Sequence, residues 1–131
     1  MARMRPLGFR VPNSTMDPFT TWLLGATGSI GRACLDALLA HPACSRVLVS
    51  SRRPLDLHHP KLEIEVLDFS LLRRRNSLER GDHLFCCLGT NYVTAASRKE
   101  FWEVDYGYPM EAARIALASG YRKFLFVSTL G

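Results

Sequence analysis

The sequence predicts an α/β fold, a doubly wound parallel sheet layered between helices on both faces (α/β/α) and incomplete toward its C-terminus. Three observations lead there. From Thr20 onward, short apolar runs alternate with amphipathic segments, the order that a parallel sheet with covering helices requires. A glycine-punctuated turn, Gly25-Ala26-Thr27-Gly28-Ser29-Ile30-Gly31, joins the first apolar run to the first amphipathic segment. A later run, Leu84-Phe85-Cys86-Cys87-Leu88, is apolar at every position and so belongs where a strand is covered on both faces.

Each element follows from its local pattern. Thr20 to Leu24 is the first strand, and Ser29 to Leu39 the first helix, with Ile30, Ala33, Leu35, Ala37 and Leu38 available for packing. That helix stops near His41-Pro42, because proline cannot continue the hydrogen-bond ladder. Arg46 to Ser50 is the second strand, and Pro54 to Pro60 a surface loop held between two prolines. Leu62 to Leu67 is a short third strand near a sheet edge, its Glu63 and Glu65 read as solvent-facing. Phe69 to Glu79 reads as a weak helix, with Arg73-Arg74-Arg75 as its solvated face. Asp82 to Leu88 is the fourth strand, Ala95 to Phe101 a short helix and Phe124 to Ser128 the fifth strand. Between the last two, Pro109 to Ser119 is a helix with proline in its first turn and Gly120 just past its end.

Composition narrows the functional classes. The 131 residues are 47% hydrophobic and 22% charged, an ordinary globular balance in a chain the size of one domain. No run approaches the roughly 20 apolar residues that span a bilayer, so no membrane association is expected. Residues 1–18 read as a disordered basic leader carrying Arg3, Arg5 and Arg10, or as an overlong start with Met16 as the alternative beginning; residues 19–131 form the domain. The net charge of +5 is scattered among the leader, Arg52-Arg53 and Arg73-Arg74-Arg75, without the interleaved aromatics of a stacking surface, so nucleic acid is not the expected partner. Cys34, Cys44, Cys86 and Cys87 form no CxxC motif and read as small buried hydrophobes in a reducing, cytoplasmic setting. His41, His58, His59 and His83 have no ligand spacing, so they read as surface histidines and no metal site is expected. No GxSxG elbow or working carboxylate pair supports hydrolase or glycosidase chemistry.

The glycine turn carries the functional reading. A Rossmann-type dinucleotide loop brings two phosphates against the positive end of a helix with no side chain between. Gly25 makes the turn out of the strand, Gly28 lets the backbone approach the pyrophosphate, and Gly31 lets the helix pack on the sheet; Thr27, Ser29 and Ile30 complete the cradle. GxxGxxG is looser than GxGxxG, and its placement between strand and helix is what gives it weight; a glycine-rich helix entry without a ligand is the alternative. Arg32 follows where a Walker loop needs GK[ST], so ATP chemistry is not expected.

The second strand ends in Ser50-Ser51-Arg52-Arg53, without the acid that grasps a ribose diol about 20 residues past such loops. Arginines there accept a 2′-phosphate and stack on adenine, so NADP(H) is expected in preference to NAD(H). Asp68 either reaches the adenine edge or caps the following helix, and Phe69 next to it belongs to the same candidate pocket. Leu88-Gly89-Thr90 follows the fourth strand, where Gly89 keeps the wall open and Thr90 donates a hydrogen bond.

Together, GATGSIG, SSRR, LDFS, FCCLGT and FWEVDYGYPMEAARIALASGYRKFLFVSTLG resemble the atypical short-chain dehydrogenase/reductase family, from Thr20 to Gly131. The resemblance implies strand order 3-2-1-4-5, NADP(H) across the strand ends, and oxidoreductase or sugar-nucleotide chemistry on a small-molecule substrate. It implies that Asp105, with Tyr106, ties the central loops together near the cofactor. It also implies that Ser128 or Thr129, preferably Thr129, polarises the substrate oxygen. The family's tyrosine and lysine, four residues apart, have no counterpart: Tyr92, Tyr106, Tyr108 and Tyr121 lack a lysine four residues on. The expected function is therefore the NADP(H)-binding portion of a longer oxidoreductase, with little turnover by itself. The alternative is a nucleotide-sensing or protein-interaction module without catalysis, for which apolar surface after the fifth strand offers a partner or homodimer contact.

Overall fold

Alternation along the first strand decides which side of the sheet each residue serves. A computed structural model of the chain describes residues 17–88 and 97–127. In β1 (Phe19–Leu24), Trp22 and Leu24 face one core and Leu23 faces the other, as a two-residue side-chain period demands. Both cores are closed by helices. The first joins Trp22, Leu24, Leu84 and Cys86 to Phe69, Leu72, Ala112, Ile115 and Ala116; the second joins Leu23, Val47 and Val49 to Leu35 and Leu38.

The five strands are β1, β2 (Cys44–Ser51), β3 (Leu62–Val66), β4 (His83–Cys86) and β5 (Lys123–Phe126), and all neighbours pair in parallel in the order β3-β2-β1-β4-β5. The expected strand order and layered architecture are therefore present. Asp82 stitches the entry of β4 to β1 by accepting a 2.9 Å hydrogen bond from the Thr20 amide.

Helix α1 (Ser29–Ala40) buries Gly31, Leu35 and Leu38. Of the five residues expected to pack, Ile30, Ala33 and Ala37 are instead exposed, because the buried stripe runs through Gly31 rather than its neighbours. The helix end is closed from a distance: the Lys61 ammonium donates to the carbonyls of Leu39 (3.1 Å) and His41 (2.9 Å), a cation placed where the helix dipole is negative.

Three expectations need correction. The weak helix of 69–79 is only a 3-10 turn, Phe69–Arg74; Phe69 and Leu72 are its buried anchors, and the polar stretch after it has no apolar stripe to continue the turn. Helix α2 (Arg98–Trp102) is not separate from the later helix but runs through a π turn (Glu103–Gly107) into α3 (Tyr108–Ala118). Pro109 is in the first turn of α3 as expected, but that turn continues directly from the π turn instead of opening a separate helix, and a proline there has no amide to donate. Thirdly, the sheet's polar residues are less free than their charges suggest. Glu65 and Arg75 are half-buried partners, Arg73 pairs with Glu103, and only Arg74 of the basic run is left as a solvated side chain without a described partner.

Cysteines and histidines divide similarly. Cys44 and Cys86 are buried, while Cys34 and Cys87 are half-buried. Burial pushes the Cys34 and Cys86 thiols up to about 11. His83 is not a surface histidine: its ring lies 4.6 Å from that of Phe19, and burial pushes its pKa down. A depressed histidine leaves the folded state with fewer protons than the unfolded chain, so stability drops as pH falls below the ordinary value of 6.5. Thermal denaturation between pH 7.5 and 5.5 is expected to show a declining Tm whose slope is shallower in His83→Gln; an unchanged slope would rule this histidine out as the source. Among the described residues no helix is long and apolar enough to cross a membrane, and no group of three or more His, Cys, Asp or Glu is placed to hold a metal ion.

Candidate dinucleotide-binding site

A parallel sheet whose chain order reverses between β1 and β4 leaves a crevice at their C-terminal ends, since the following segments leave in opposite directions. The chain has a cavity of about 340 Å³ there, at the lower end of small-molecule sites. Gly25 to Gly28 form its floor, Ser50 to Arg53 one wall, Cys87 and Leu88 the other, and Phe69 with Val104 close the side.

The glycine loop is held by contacts that tolerate no side chain at two positions. Gly25 has φ of +85°, and a β-carbon there would lie 2.5 Å from the Cys87 carbonyl carbon. At Gly31 a β-carbon would sit 1.7 Å from the Gly25 carbonyl oxygen, so the first turn of α1 rests directly on the loop. Gly28 differs: its β-carbon would meet nothing nearer than 4.0 Å, leaving open space over the amides of the helix start. The N-terminus of α1 carries no side-chain cap and no acid in its first turn. Its amide donors and positive dipole end are thus uncompensated, the electrostatic condition for holding an anion.

The arginine wall is shaped by the serines before it. Ser51 Oγ donates to the Arg53 carbonyl (2.8 Å) and accepts from the Arg53 amide (3.2 Å), a tight turn that leaves Arg52 and Arg53 exposed at the rim. Asp68 accepts from the Ser70 amide at 2.9 Å and caps the 3-10 turn; this bond and the nearby Arg52 charge hold its carboxyl below the usual carboxylate range. Of the two readings of Asp68, capping has a partner in the structure. Phe69 is buried beside it, with Tyr108 edge-on at 5.8 Å, and forms an apolar wall.

Gly25, Thr27, Gly28, Arg52, Arg53, Phe69 and Leu88 are brought together around one cavity. Ser29, Ile30 and Gly31 form the adjoining helix start rather than the lining, with Ile30 turned to solvent. Asp105 is exposed on the π turn, and its neighbour Val104 reaches the cavity instead. Gly89, Thr90, Ser128 and Thr129 lie outside the described residues. Sequence reasoning missed Ser50, Ser51, Cys87 and Val104 as lining. The strand-end position of the first three is a usable signal, whereas Val104 depends on the π turn that joins α2 to α3, which no local pattern marks.

The model of the NAD dependent epimerase/dehydratase family matches residues 22–131. The chain belongs to that family. Among its relatives, this epimerase/dehydratase chain is similar to the protein HTATIP2 of Rattus norvegicus, 31% identical over 116 residues that are 86% of this chain and 48% of that one. It is also similar to the mitochondrial protein FMP52-1 of Scheffersomyces stipitis, 32% identical over 86% of this chain and 51% of that protein. The family chain thus spans about half the length of the curated relatives it matches. A mutant uronate dehydrogenase from Agrobacterium tumefaciens complexed with NAD has the same fold, with TM-score 0.67 at 18% identity over 85% of this chain and 41% of that one. So does a short chain dehydrogenase from Burkholderia cenocepacia in complex with NADP, with TM-score 0.60 at 17% identity over 79% of this chain and 48% of that one. These neighbours share the fold of this chain, and the family to which it belongs is described as NAD dependent.

Proposed function

We propose that this chain is the NADP(H)-binding portion of a short-chain-dehydrogenase-like oxidoreductase whose complete form transfers hydride between nicotinamide and a carbonyl, hydroxyl or sugar-nucleotide substrate. The observation that carries the cofactor choice is the wall at the end of β2: two exposed arginines and, among the described residues, no carboxylate lining the cavity. A 2′-phosphate on the adenosine ribose needs cationic, bidentate donors there, whereas a bare ribose diol is best held by an acid.

The residues present fit such a group. The open space over Gly28 and the uncapped amides of α1 suit the pyrophosphate, Arg52 and Arg53 the 2′-phosphate, and Phe69 the apolar face of adenine. When bound, the nicotinamide supplies the hydride. The chain's own contribution is to hold and orient it, and Ser128 or Thr129 is proposed to polarise a substrate oxygen.

Isothermal titration of the chain with NADP⁺ and NAD⁺ tests this reading. Arg52→Glu is expected to weaken NADP⁺ by about 30-fold or more, from lost charge-assisted bonds and added repulsion, while changing NAD⁺ by about threefold or less. Equal losses for the two nucleotides, or no binding of either by the unaltered chain, would overturn it.

A further inference from the structure

A carboxylate lies one hydroxyl behind the arginine wall. Ser50 has no exposed surface of its own on β2, yet belongs to the cavity wall. Its Oγ accepts from Trp22 Nε1 at 2.8 Å and donates its single proton to Glu65 Oε1 at 2.9 Å. Glu65 stands directly opposite Ser50 in the parallel register of β2 and β3, on the face shared with Trp22. Arg75 then closes on this carboxylate with both terminal nitrogens, Nη1 to Oε1 at 3.0 Å and Nη2 to Oε2 at 2.8 Å. The backbone of Arg75 is fixed separately, since Arg114 donates to the Arg75 carbonyl at 2.9 Å and to that of Leu72 at 3.1 Å.

A two-pronged arginine on a half-buried carboxylate cancels most of its field. This cancellation matters because of where the pair sits. At the end of the second strand, an acid favours a ribose diol and repels a 2′-phosphate. Glu65 is an acid at that place in all but sequence position: it belongs to the next strand, yet reaches the wall through Ser50. We infer that Glu65 and Arg75 are specificity-determining positioning residues, with Arg75 masking the Glu65 carboxylate so that the wall made by Ser50, Ser51, Arg52 and Arg53 presents net positive charge to the cofactor's 2′ group. Neither residue touches the cavity; both act through Ser50 and through the potential at the wall. The inference rests on the NADP(H) reading above and adds a second layer to it.

The test compares the Kd ratio of NADP⁺ to NAD⁺, by titration of the full chain, across four variants. Arg75→Gln unmasks the carboxylate and is expected to shift the ratio about tenfold toward NAD⁺. Glu65→Gln removes the carboxylate and leaves Arg75 uncancelled, and is expected to shift the ratio about threefold the other way. The double variant returns the ratio to within about twofold of the starting value, and Arg75→Lys keeps most of the masking charge and most of the preference. A merely structural role weakens both nucleotides together and gives the two single variants shifts of the same sign. That outcome, or a double variant that keeps the Arg75→Gln ratio, overturns the assignment of Glu65 and Arg75 while leaving the NADP(H) reading intact. If the unaltered chain prefers NAD⁺ or binds neither nucleotide, the cofactor reading itself falls, and this inference with it.

Discussion

Gly31→Ala is expected to destabilise the chain by about 3 kcal/mol or more and to abolish nucleotide binding. The cause is geometric. A β-carbon at this position would lie 1.7 Å from the Gly25 carbonyl oxygen and 2.6 Å from its carbon, both backbone atoms that cannot rotate away. Relief requires lifting α1 off the loop or dragging Gly25, which is itself locked at φ +85° against the Cys87 backbone. Gly28→Ala is the matched control. Its φ of −79° suits any residue, and its β-carbon would meet nothing nearer than 4.0 Å, so its Tm is expected to stay within about 2 °C while nucleotide affinity falls by about tenfold. Thermal denaturation followed by circular dichroism, with titration at 25 °C, separates the two. A Gly31→Ala protein as stable as the parent would mean that α1 does not rest on the loop, and the proposed phosphate seat would fall with that contact.

Trp22→Ala is expected to cost about 3–5 kcal/mol, enough to unfold a domain of this size outright under mild denaturant. Trp22 has no exposed surface, lies in the core shared by the sheet, the 3-10 turn and α3, and stacks edge-on with Tyr121 at 6.3 Å. It also donates the 2.8 Å bond that fixes Ser50 in the cavity wall. Trp22→Phe keeps much of the apolar volume and removes the donor, and is expected to cost about 1–2 kcal/mol by leaving the Ser50 hydroxyl short of one partner. Urea denaturation of the two variants gives the comparison. A Trp22→Phe variant as stable as the parent would show that the tryptophan acts through volume alone and has no part in holding the wall.

Much of this molecule is legible one residue at a time. The glycine spacing, the apolar run Trp22-Leu23-Leu24 and the doubly apolar LFCCL run mark the strands and the parallel class of their sheet, because those signals depend on near neighbours in the chain, whereas the order 3-2-1-4-5 comes from the family resemblance. Cys86 and Cys87 pointing to opposite faces follows from the same period of two. The continuous run from α2 to α3 is less legible. A glycine and a proline have clear local meanings as helix breakers, yet the backbone stays helical through the π turn, beyond which Tyr108 packs edge-on against Phe69 and Ile115 enters the core, contacts between segments far apart in the chain.

The sequence by itself determined the layered α/β architecture, the glycine turn between β1 and α1 and the placing of two arginines just past β2, since each is written in the order and periodicity of adjacent residues. Only the tertiary structure decided which charges are free and which are spent on one another. Glu65 and Arg75 are separated by a strand end and a 3-10 turn, and read locally they are two solvated ions; folded, they are a single pair behind Ser50. Periodicity reports which face a side chain takes. Whether a charge on that face meets an opposite charge depends on the distance between segments far apart in the chain, and electrostatic energy depends on that distance and on the local exclusion of water.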